Sequence, residues 1–374
     1  KSSRKLIREL HRTNTQADIS VTGCYAQISP NDIAVIDGVQ RVISNAEKDS
    51  LVSQVTGQPL ERFDIEPHAR DMRSGAANRT RAFIKVQDGC DNACTFCITT
   101  VARGEGRSRD ADEIVHEINT LQEMGYQEAV LTGVHLGSYG HDLGNREGLM
   151  QLVQRILAET DIPRLRLSSL EPWDLSPGFF TLWQDERLQP HLHLPLQSGC
   201  DATLRRMRRN TSQAEFRQLV QSARAAIPQL NITSDVIVGF PGETEVEWAI
   251  SQAFIEEMNF GSLHVFRYSV RSGTPAARMR GKVRNAVKKA RSSYLLAHSQ
   301  QQEARFAERF IGQALPVLWE SITGSSDAGF VNVGYTHNYI RVQCSHPRVL
   351  SDHITLARIE QIENGIIQAT PVID

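Results

Sequence analysis

The sequence predicts an α/β fold in which parallel strands form a full or partial barrel, with a smaller unit on either side. From Arg81 onward, six strand-like segments alternate with helix-like segments, as in parallel sheets with helical crossovers. Residues 1–60 have the pattern of a small α/β unit, and short strands and turns follow Gly312. A cluster of cysteines comes directly after the first strand of the barrel. We therefore expect domains at residues 1–60, 81–310 and 311–374, with a linker at residues 61–80.

The composition sets limits on the class of protein. With 374 residues and 40% hydrophobic residues, the chain is long enough for two or three domains with sizeable cores. A formal net charge of -2 excludes a surface that is basic as a whole, so any nucleic-acid-binding surface must be local. No apolar run is long enough to span a bilayer and no signal-peptide pattern is present, so we expect no membrane association and a cytoplasmic location. Six cysteines, clustered rather than evenly spread, indicate metal or redox chemistry in a reducing compartment.

The N-terminal unit begins with an amphipathic helix that places Leu6, Ile7 and Leu10 on one side. A short apolar strand then ends at Cys24, and a second helix follows. Taken alone, a single cysteine in this position is more often a buried or surface thiol than a ligand. Because the sequence starts at Lys1 in what has the pattern of the middle of a helix, we also expect a missing piece upstream.

Six strands are predicted in the central domain. The first, at residues 81–86, leads into the cysteine loop, and Asp110 is placed to cap the next helix. The other strands are expected at residues 127–133, 164–169, 191–197, 231–238 and 262–270, and the helices that follow three of them at residues 176–184, 202–209 and 245–258. In a barrel of this kind the chemistry occurs at the C-terminal ends of the strands, which is where the cysteine loop lies.

Cys90, Cys94 and Cys97 form a C-x3-C-x2-C motif in that loop. Three thiolates suit a metal centre with one open coordination position, because a closed zinc or iron–sulfur site takes four ligands. The spacing alone leaves two closed alternatives: a zinc site completed by a histidine, or a ferredoxin-type cluster completed by another cysteine. The candidates for the fourth ligand are His135, His191, His193 and Cys200. The position of the loop at a strand end favours the open site.

The motifs around the cysteines resemble those of the radical S-adenosylmethionine methylthiotransferases. The resemblance begins with GlyCysAspAsnAlaCysThrPheCysIle and AlaArgGlyGluGlyArgSerArg. It continues with LeuThrGlyValHisLeuGlySerTyrGlyHisAspLeu at residues 131–143, ArgLeuSerSerLeuGluPro at 166–172, HisLeuHisLeuProLeuGlnSerGlyCysAsp at 191–201 and ThrSerAspValIleValGlyPheProGlyGluThr at 233–244. It covers nearly the whole chain, and the terminal β unit resembles the TRAM module of these enzymes. The motifs at residues 131–143 and 166–172 are most similar to the MtaB-type branch, which acts on tRNA N6-threonylcarbamoyladenosine beside the anticodon.

The resemblance implies a partial (β/α)6-type radical SAM barrel, preceded by a small α/β methylthiotransferase N-terminal domain and followed by a small all-β TRAM-like barrel. It implies that Cys90, Cys94 and Cys97 bind a 4Fe-4S cluster whose fourth iron chelates S-adenosylmethionine. An electron passed through the cluster would cleave that cofactor to a 5′-deoxyadenosyl radical. The strand-end residues expected to line the cofactor pocket are Thr132, Gly133, Ser168, Glu171, Gln197, Asp235 and Gly239.

The resemblance also changes the interpretation of Cys24. Its surroundings, ThrGlyCysTyrAlaGln, match the third of three cysteines that hold a second 4Fe-4S cluster in this family. Cys24 is therefore expected to bind an auxiliary cluster whose other ligands are absent from this sequence, which we take to lack its N-terminal start. That cluster is thought to hold or donate the sulfur that is inserted.

The expected function is insertion of a methylthio group at C2 of N6-threonylcarbamoyladenosine in tRNA. The expected partners are tRNA, an electron donor such as flavodoxin or ferredoxin, and a sulfur donor. One alternative is the same chemistry on isopentenyladenosine in tRNA or on a ribosomal-protein side chain. An alternative of another class is a non-catalytic, metal-stabilised RNA-binding protein.

Positive charge is concentrated in three segments. Between residues 271 and 310, ten Lys or Arg and two Glu give an excess of eight positive charges. We expect residues 271–291 of this stretch, together with Arg205, Arg206, Arg208 and Arg209, to hold the tRNA backbone. Arg103, Arg107 and Arg109 follow the cysteine loop and are expected to offset the charge of the metal centre or to hold an anionic group.

The C-terminal unit departs from this pattern of charge. Residues 312–374 contain three arginines, no lysine and six acidic residues, so counterion release alone would not hold RNA there. Trp319, Tyr335, His337 and Tyr339 are expected either to stack on unpaired bases or to form the core of a small barrel.

Overall fold

The structure is a computed structural model that describes residues 2–58, 80–363 and 365–372. Apart from Thr80, the predicted linker at residues 61–80 lies outside the described residues. No helix within the described residues is long and apolar enough to cross a membrane.

The N-terminal unit is built on two short parallel strands. Its elements are α1 (Ser2–Thr13), β1 (Ile19–Val21), α2 (Cys24–Ile28), α3 (Pro30–Ala34), β2 (Val39–Val42) and α4 (Leu51–Thr56), with a 3-10 helix at Asn45–Ser50. Ile7, Ala26, Ile33 and Ile36 form its apolar core. The sequence did not predict α2, α3 and β2, because elements of four or five residues are too short to show a period.

Six parallel strands form the central array, and one short antiparallel strand is added at its edge. In chain order the strands are β3 (Arg81–Asp88), β4 (Arg107–Ser108), β5 (Glu128–Gly133), β6 (Arg164–Leu167), β7 (His191–His193), β8 (Asn231–Val238) and β9 (Ser262–Arg267). All six predicted strands are present, and the antiparallel β4 was not predicted. The α/β class is therefore confirmed.

The six parallel strands surround a common space. Strands β4, β3, β5 and β6 pair in that order in one sheet, and β7, β8 and β9 pair in a second. Isolated bridges, among them one from Ser169 to His193, join the two sheets. Side chains from all six parallel strands line one cavity, so the array curves around it. No pairing joins β9 to β3 among the described strands, so the array is open on that side.

Helices pack on the outer face of this array. They are α5 (Thr99–Arg103), α6 (Ala111–Glu123), α7 (Gly148–Glu159), α8 (Asp201–Met207), α9 (Gln213–Ala226), α10 (Glu245–Met258) and α11 (Asn285–Glu308). Alternate strand residues, such as Ile84, Leu131, Leu165 and Ile232, are fully buried in the main apolar core. Asp110 caps α6 as predicted, because its side chain accepts two backbone N–H groups of the first turn.

Several helical segments differ from the sequence prediction, and α5 and α7 had no counterpart in it. Pro177–Gln184 is a 3-10 helix rather than an α-helix. Within it, the rings of Phe179 and Phe180 pack edge to face, and Trp183 is tilted against both. Helix α9 was not predicted. Its start carries a capping box formed by Ser212 and Glu215, and this signal was available in the sequence.

The C-terminal unit is a closed five-stranded barrel. Its strands are β10 (Ala314–Ser326), β11 (Gly329–Thr336), β12 (Arg341–His346), β13 (Ile354–Glu363) and β14 (Ile366–Pro371). Around the ring they follow the order β10, β11, β12, β14, β13, with β12 and β14 parallel and the other neighbours antiparallel. Trp319 is fully buried in its core together with Val317, Val342 and Ile359. The prediction of a small all-β barrel is confirmed.

The C-terminal barrel packs against the N-terminal ends of the central strands. Glu128, at the start of β5, is 1% exposed and lies among three arginines. Its carboxylate accepts two hydrogen bonds from Arg166, of 2.9 and 3.2 Å, and lies 3.7 Å from Arg81 and 3.8 Å from Arg164. Arg81 also pairs with Glu320 on β10. Arg164 and Arg166 donate to backbone carbonyls of the C-terminal barrel, so this ion network crosses the junction.

Aromatic rings complete the junction. Tyr339 stacks on His191 at 4.6 Å between ring centroids and on Tyr335 at 4.8 Å, and the guanidinium of Arg166 lies 4.7 Å from the centre of the Tyr339 ring. His337 is hydrogen bonded to Gln229. Of the four residues for which the sequence left two uses open, Trp319 lies in the core of the C-terminal barrel, and Tyr335, His337 and Tyr339 pack at the junction. Stacking on unpaired bases stays a prediction.

Replacing Glu128 tests how much the junction depends on one carboxylate. We expect Glu128→Ala to lower the free energy of unfolding by about 3–5 kcal/mol, because it leaves three buried guanidinium groups without their shared counter-charge. Chemical denaturation monitored by circular dichroism measures this change. Glu186, which is exposed, is the matched control, and its replacement should change stability by at most about 0.5 kcal/mol.

The same carboxylate gives the junction a pH dependence. Burial by itself raises the pKa of Glu128, but Arg166, Arg81 and Arg164 lower it to below its ordinary value of 4.5. The stabilisation of the folded state by Glu128 is therefore fully present at pH values above the ordinary pKa, and it is lost as the pH falls through the lower pKa of the folded state. Equal acid sensitivity in wild type and Glu128→Ala would contradict this account.

Candidate functional site

The cysteine loop begins where β3 ends, at the C-terminal edge of the central array. Gly89 has a φ of +77°, and a Cβ atom there would lie 1.8 Å from the carbonyl oxygen of Glu105, so only glycine fits. The N–H of Cys90 donates to the carbonyl of Gly104 at 3.1 Å. The N–H of Cys97 donates to the carbonyl of Cys94 at 3.1 Å, which makes a turn between these two cysteines.

Hydrogen bonds of Thr95 fix the middle of the loop. Its N–H donates to the carbonyl of Met207 at the end of α8, and its hydroxyl donates to the carbonyl of Arg206 at 2.8 Å. Its carbonyl accepts from the N–H of Ala276. The neighbouring Phe96 packs edge to face on Phe240. The cysteines are therefore held on a rigid support rather than on a free loop.

Opposite charges flank Cys94. The side chain of Arg209 is 1% exposed, donates two hydrogen bonds to Glu171 at 2.9 and 2.5 Å, and places Nη1 3.8 Å from the sulfur of Cys94. Its guanidinium also stacks on Trp173. Burial raises the pKa of the Cys94 thiol, and the nearby Arg209 acts in the opposite direction. A thiolate or an anionic cluster at Cys94 would therefore face a fixed cation.

A second charged pair stands beside Cys90. His135 and Asp174 are both buried, with 2.6 Å between Nε2 and Oδ2. Burial lowers the pKa of His135, but its hydrogen bonds to Asp174 and Cys90 outweigh that effect and raise the pKa to about 10. Asn92 lies 3.4 Å from the same ring. At neutral pH this site therefore holds an imidazolium next to the first cysteine.

Three cysteines in one loop suit a multi-iron cluster, in which each cysteine binds a different iron. The backbone N–H of Thr99 donates to the sulfur of Cys97 at 3.3 Å, as expected for a thiolate ligand.

Cys24 lies close to the same region although it belongs to the N-terminal unit. It begins α2, which packs against α5, the helix that follows Cys97. Asn45 lies 4.0 Å from its sulfur and also donates to the carbonyl of Ala102 on α5. Arg103 contacts both Cys24 and Asp88 at the end of β3. The structure thus brings the fourth predicted metal-binding cysteine to the side of the cysteine loop.

Three of the predicted cofactor-pocket residues lie at the ends of β5 and β6. Thr132 donates from its hydroxyl to the carbonyl of Ile84 at 3.1 Å. Gly133 is packed closely, because a Cβ there would lie 3.1 Å from Gln87 and from Leu136. Ser168 lines the central cavity, and its buried hydroxyl has no hydrogen-bond partner within the described structure. Their contact with a cofactor stays a prediction.

The other predicted pocket residues have protein partners in this structure. Glu171 holds Arg209, as described above. Gln197 has a left-handed φ of 68°, and its backbone is paired with β8 at Asp235 and at Ile237. A Cβ atom at Gly239 would lie only 2.1 Å from the side chain of Lys288 on α11, and the backbone N–H of Gly239 donates to Glu243. Their roles toward a cofactor also stay predictions.

A cavity of about 860 Å³ occupies the centre of the array and extends to the C-terminal barrel. It is lined by Arg81, Ser168, His191, His193, Thr233 and His264 from the strands and by Tyr339 and Arg341 from the barrel. The cysteines do not line it. His191 and His193 share the hydroxyl of Thr233, at 3.0 and 2.9 Å, inside the barrel.

The comparisons with known proteins agree with this geometry. Residues 84–254 match the Radical SAM superfamily. The chain is 38% identical over 352 residues to the threonylcarbamoyladenosine tRNA methylthiotransferase MtaB of Bacillus subtilis (strain 168), covering 91% of this chain and 78% of that relative. It is 33% identical over 345 residues to the tRNA-2-methylthio-N(6)-dimethylallyladenosine synthase of Maricaulis maris (strain MCS10), covering 86% of this chain and 76% of the relative.

The chain belongs to the radical S-adenosylmethionine methylthiotransferase family. It is therefore an enzyme of this class, and membership implies a 4Fe-4S cluster and S-adenosylmethionine as its cofactors. The fold is similar to that of the radical S-adenosylmethionine methyltransferase TsrM from Kitasatospora setae, whose structure was solved with cobalamin and a [4Fe-4S] cluster bound. That likeness has a TM-score of 0.58 at 16% identity and covers 74% of this chain and 59% of TsrM.

For this methylthiotransferase, several expectations about arginines need correction. Arg209 was expected to hold tRNA, but it is buried beside Cys94. Arg206 is paired with Glu247 on α10. Arg109 was expected near the metal centre, but it binds Glu117 on α6, 2.8 Å away. A run of charged residues in a sequence does not reveal which of these residues have carboxylate partners, because the tertiary fold decides this.

Sequence reasoning also missed the pairing of His135 with Asp174. His135 was considered only as a distant zinc ligand, although it follows the end of a strand by two residues, a position that indicates a site. Asp174 lies in a 3-10 turn at Pro172–Asp174 and gave no signal of its own.

The buried Arg209 generates a prediction about the cluster of this methylthiotransferase. Arg209→Met removes a cation beside Cys94 and leaves Glu171 unpaired, so it disfavours the additional negative charge of the reduced cluster. At an effective dielectric constant of about 20, a charge roughly 7 Å away shifts a one-electron potential by on the order of 100 mV, here toward more negative values.

Spectroelectrochemical titration of the reconstituted protein measures this midpoint potential. Arg205→Met is the matched control, because Arg205 lies on α8, the helix just before Arg209, and is exposed. Equal potentials for the two variants would show that Arg209 does not act on the cluster.

Proposed function

We propose that this protein inserts a methylthio group at C2 of N6-threonylcarbamoyladenosine beside the anticodon of tRNA, in the cytoplasm. The observation that carries the proposal is a cysteine loop with an open-site spacing, supported by rigid contacts and bordered by an exposed cationic surface. The similarity to the relative named threonylcarbamoyladenosine tRNA methylthiotransferase supports this choice of nucleoside.

Cys90, Cys94 and Cys97 would hold the 4Fe-4S cluster. Fixed positive charge from Arg209 and from His135 faces two of the three sulfurs. When bound there, the cluster and S-adenosylmethionine supply the radical chemistry of the family. The residues of the chain position the sulfurs and offset their charge.

The strand-end residues would bind S-adenosylmethionine. The candidates remain Thr132, Gly133, Ser168, Glu171, Gln197, Asp235 and Gly239. Asp235 lies inside β8, three residues before its end, and the others lie at or beyond the C-terminal ends of β5, β6, β7 and β8. The unpartnered hydroxyl of Ser168 is free to bind a ligand. The tightly packed Gly133 and Gly239 leave only backbone groups for such contacts.

An exposed cationic surface adjoins the cysteine loop, and we assign tRNA binding to it. Its residues are Arg205, Arg208, Arg278, Arg280, Lys282 and Arg284, all exposed and without an ion pair in the part of the chain that the structure describes. The hydrogen bonds of Thr95 to Met207 and Ala276 place both segments of this surface beside the cysteines. Unpaired, exposed cations of this kind bind phosphates by releasing counterions.

Cys24 would serve as a ligand of a second 4Fe-4S cluster. Its position against α5 places the auxiliary site next to the first one, which the insertion of sulfur into the same nucleoside requires. The proposal includes an electron donor such as flavodoxin or ferredoxin and a separate sulfur donor as partners.

A second candidate substrate is dimethylallyladenosine in tRNA. The similarity to the dimethylallyladenosine synthase of Maricaulis maris supports it, at a lower identity than the first relative. The polar lining of the central cavity, which includes Arg81, His193, His264 and Arg341, favours the threonylcarbamoyl group, which carries a hydroxyl and a carboxylate.

A paired-substrate assay tests the proposal. The full-length protein is reconstituted anaerobically with iron, sulfide, S-adenosylmethionine and a reductant, then incubated with anticodon stem-loops that carry either nucleoside. We expect a methylthio product on the threonylcarbamoyl substrate in nucleoside mass analysis. Product only on the dimethylallyl substrate would overturn the choice of nucleoside.

Two cysteine variants extend the same assay. Cys94→Ala is expected to abolish both 5′-deoxyadenosine and the methylthio product, because it removes a ligand of the cluster. Cys24→Ala is expected to abolish the methylthio product while 5′-deoxyadenosine still forms. Cys344→Ala, in the buried core of the C-terminal barrel, is the control and should retain both products.

The cationic surface gives a quantitative prediction for tRNA binding. Replacing Arg280, Lys282 and Arg284 with alanine should reduce the magnitude of the slope of log affinity against log salt by roughly 2–3, because each phosphate contact contributes about 0.7–0.9. Fluorescence anisotropy with a labelled anticodon stem-loop measures this slope. Arg348→Ala, an exposed arginine of the C-terminal barrel, should leave it unchanged. An unchanged slope in the triple variant would place tRNA elsewhere.

A further inference from the structure

Two histidines and an aspartate meet on three adjacent parallel strands inside the central array. His193 lies on β7, Asp235 on β8 and His264 on β9. The distance from Nε2 of His193 to Oδ1 of Asp235 is 3.2 Å, and that from Nδ1 of His264 to the same oxygen is 3.1 Å. All three ligand atoms lie within 4.8 Å of one another, which no other group of three His, Cys, Asp or Glu in the described residues achieves.

Strand register brings these residues together. Asp235 is the direct partner of His264 between β8 and β9, and His193 is paired with Thr233, one inward-facing position earlier on β8. Because side chains alternate along a strand, Thr233, Asp235 and Ile237 face the same side. The group is therefore held by three strands of one sheet, which gives little freedom to its backbone.

The distances suit a single metal ion. Zinc binds histidine nitrogen and carboxylate oxygen at about 2.0–2.2 Å, so neighbouring ligand atoms of a tetrahedral site lie roughly 3.3–3.6 Å apart. The two observed distances of 3.2 and 3.1 Å are close to this range. Two histidines and one carboxylate are also a recurrent ligand set of non-haem iron and zinc sites with open positions.

A supporting contact orients the first ligand. Nδ1 of His193 is 2.9 Å from the hydroxyl of Thr233, which leaves Nε2 directed to the position between the three side chains. Metal-bound histidines usually use their other nitrogen in this way, and the contact fixes the ring and its tautomer. The other nitrogen of His264 is free to reach solvent, since 64% of that side chain is exposed.

The site also has room for a further ligand. His193 and His264 both line the cavity of about 860 Å³. Ile237 is the next residue of β8 that faces the same side as Asp235, and it packs in the same apolar cluster as Phe96 of the cysteine loop. An ion in this group would therefore stand within the array, below the cysteine loop and next to the space that a substrate enters.

We propose that His193, Asp235 and His264 bind one divalent transition-metal ion, such as Zn²⁺, with an open coordination position toward the cavity. That position suits an oxygen or nitrogen atom of the molecule that occupies the cavity. This role differs from the direct cofactor contact that the sequence predicted for Asp235. The inference stands on the geometry of the three side chains and does not depend on which nucleoside the enzyme modifies.

Calorimetric titration with Zn²⁺ tests the site. The protein is used with its cysteines occupied by the reconstituted iron–sulfur cluster, and bound zinc is counted by elemental analysis after dialysis. We expect one more bound zinc ion per chain in wild type than in His264→Ala. The zinc affinity of this variant should fall by more than about 100-fold, because the loss of a supporting contact alone costs up to about 100-fold and His264 is a ligand. His116→Ala, an exposed histidine on α6, is the matched control and should bind as wild type does.

A graded variant separates ligand loss from misfolding. Thr233→Val removes only the contact that orients His193 and should weaken zinc binding by about 10- to 100-fold. Circular dichroism melting checks that each variant is folded, and His264 is exposed enough for its replacement to leave the core intact. Equal zinc content in wild type, His264→Ala and Asp235→Asn would overturn the proposal and assign the group to a hydrogen-bonded charge cluster without metal.

Discussion

The buried carboxylate of Glu128 is the interaction on which the arrangement of the domains depends. Three arginines from neighbouring strands converge on it, and Arg164 and Arg166 would be uncompensated buried charges without it. The same arginines donate to carbonyls of the C-terminal barrel and stack on its tyrosines. A charge network at the N-terminal ends of the strands therefore holds the C-terminal barrel in place and leaves the opposite ends free.

This division of the array into two ends agrees with the proposed positions of the chemistry and of the RNA contacts. The C-terminal ends carry the cysteine loop, the ion pairs around Cys90 and Cys94, and the exposed cations beside Thr95. The C-terminal barrel uses its aromatic rings and several of its polar groups to pack against the other end. Its acidic composition, which looked unsuited to RNA, is consistent with a unit whose main contact in this structure is with protein.

The different environments of individual arginines show the limit of sequence reasoning about charge. Arg208 and Arg209 are adjacent in the sequence, yet Arg208 is exposed with a left-handed φ of 54°, and Arg209 is buried between Glu171 and Cys94. The left-handed residue turns the chain at the end of α8, and this turn directs the next side chain inward. No local pattern predicts which of two neighbouring arginines a distant carboxylate will bind.

Sequence patterns alone predicted the alternation of strands and helices, the six parallel strands, the small β-barrel and the three cysteines proposed to hold the cluster. Those features rest on periodicity, burial and short spacing, which are local properties of the chain. Only the tertiary structure decided that His135 meets Asp174, that Arg209 faces Cys94, and that His193, Asp235 and His264 form one group. These contacts join residues far apart in the sequence, and strand register and the curvature of the array bring them together.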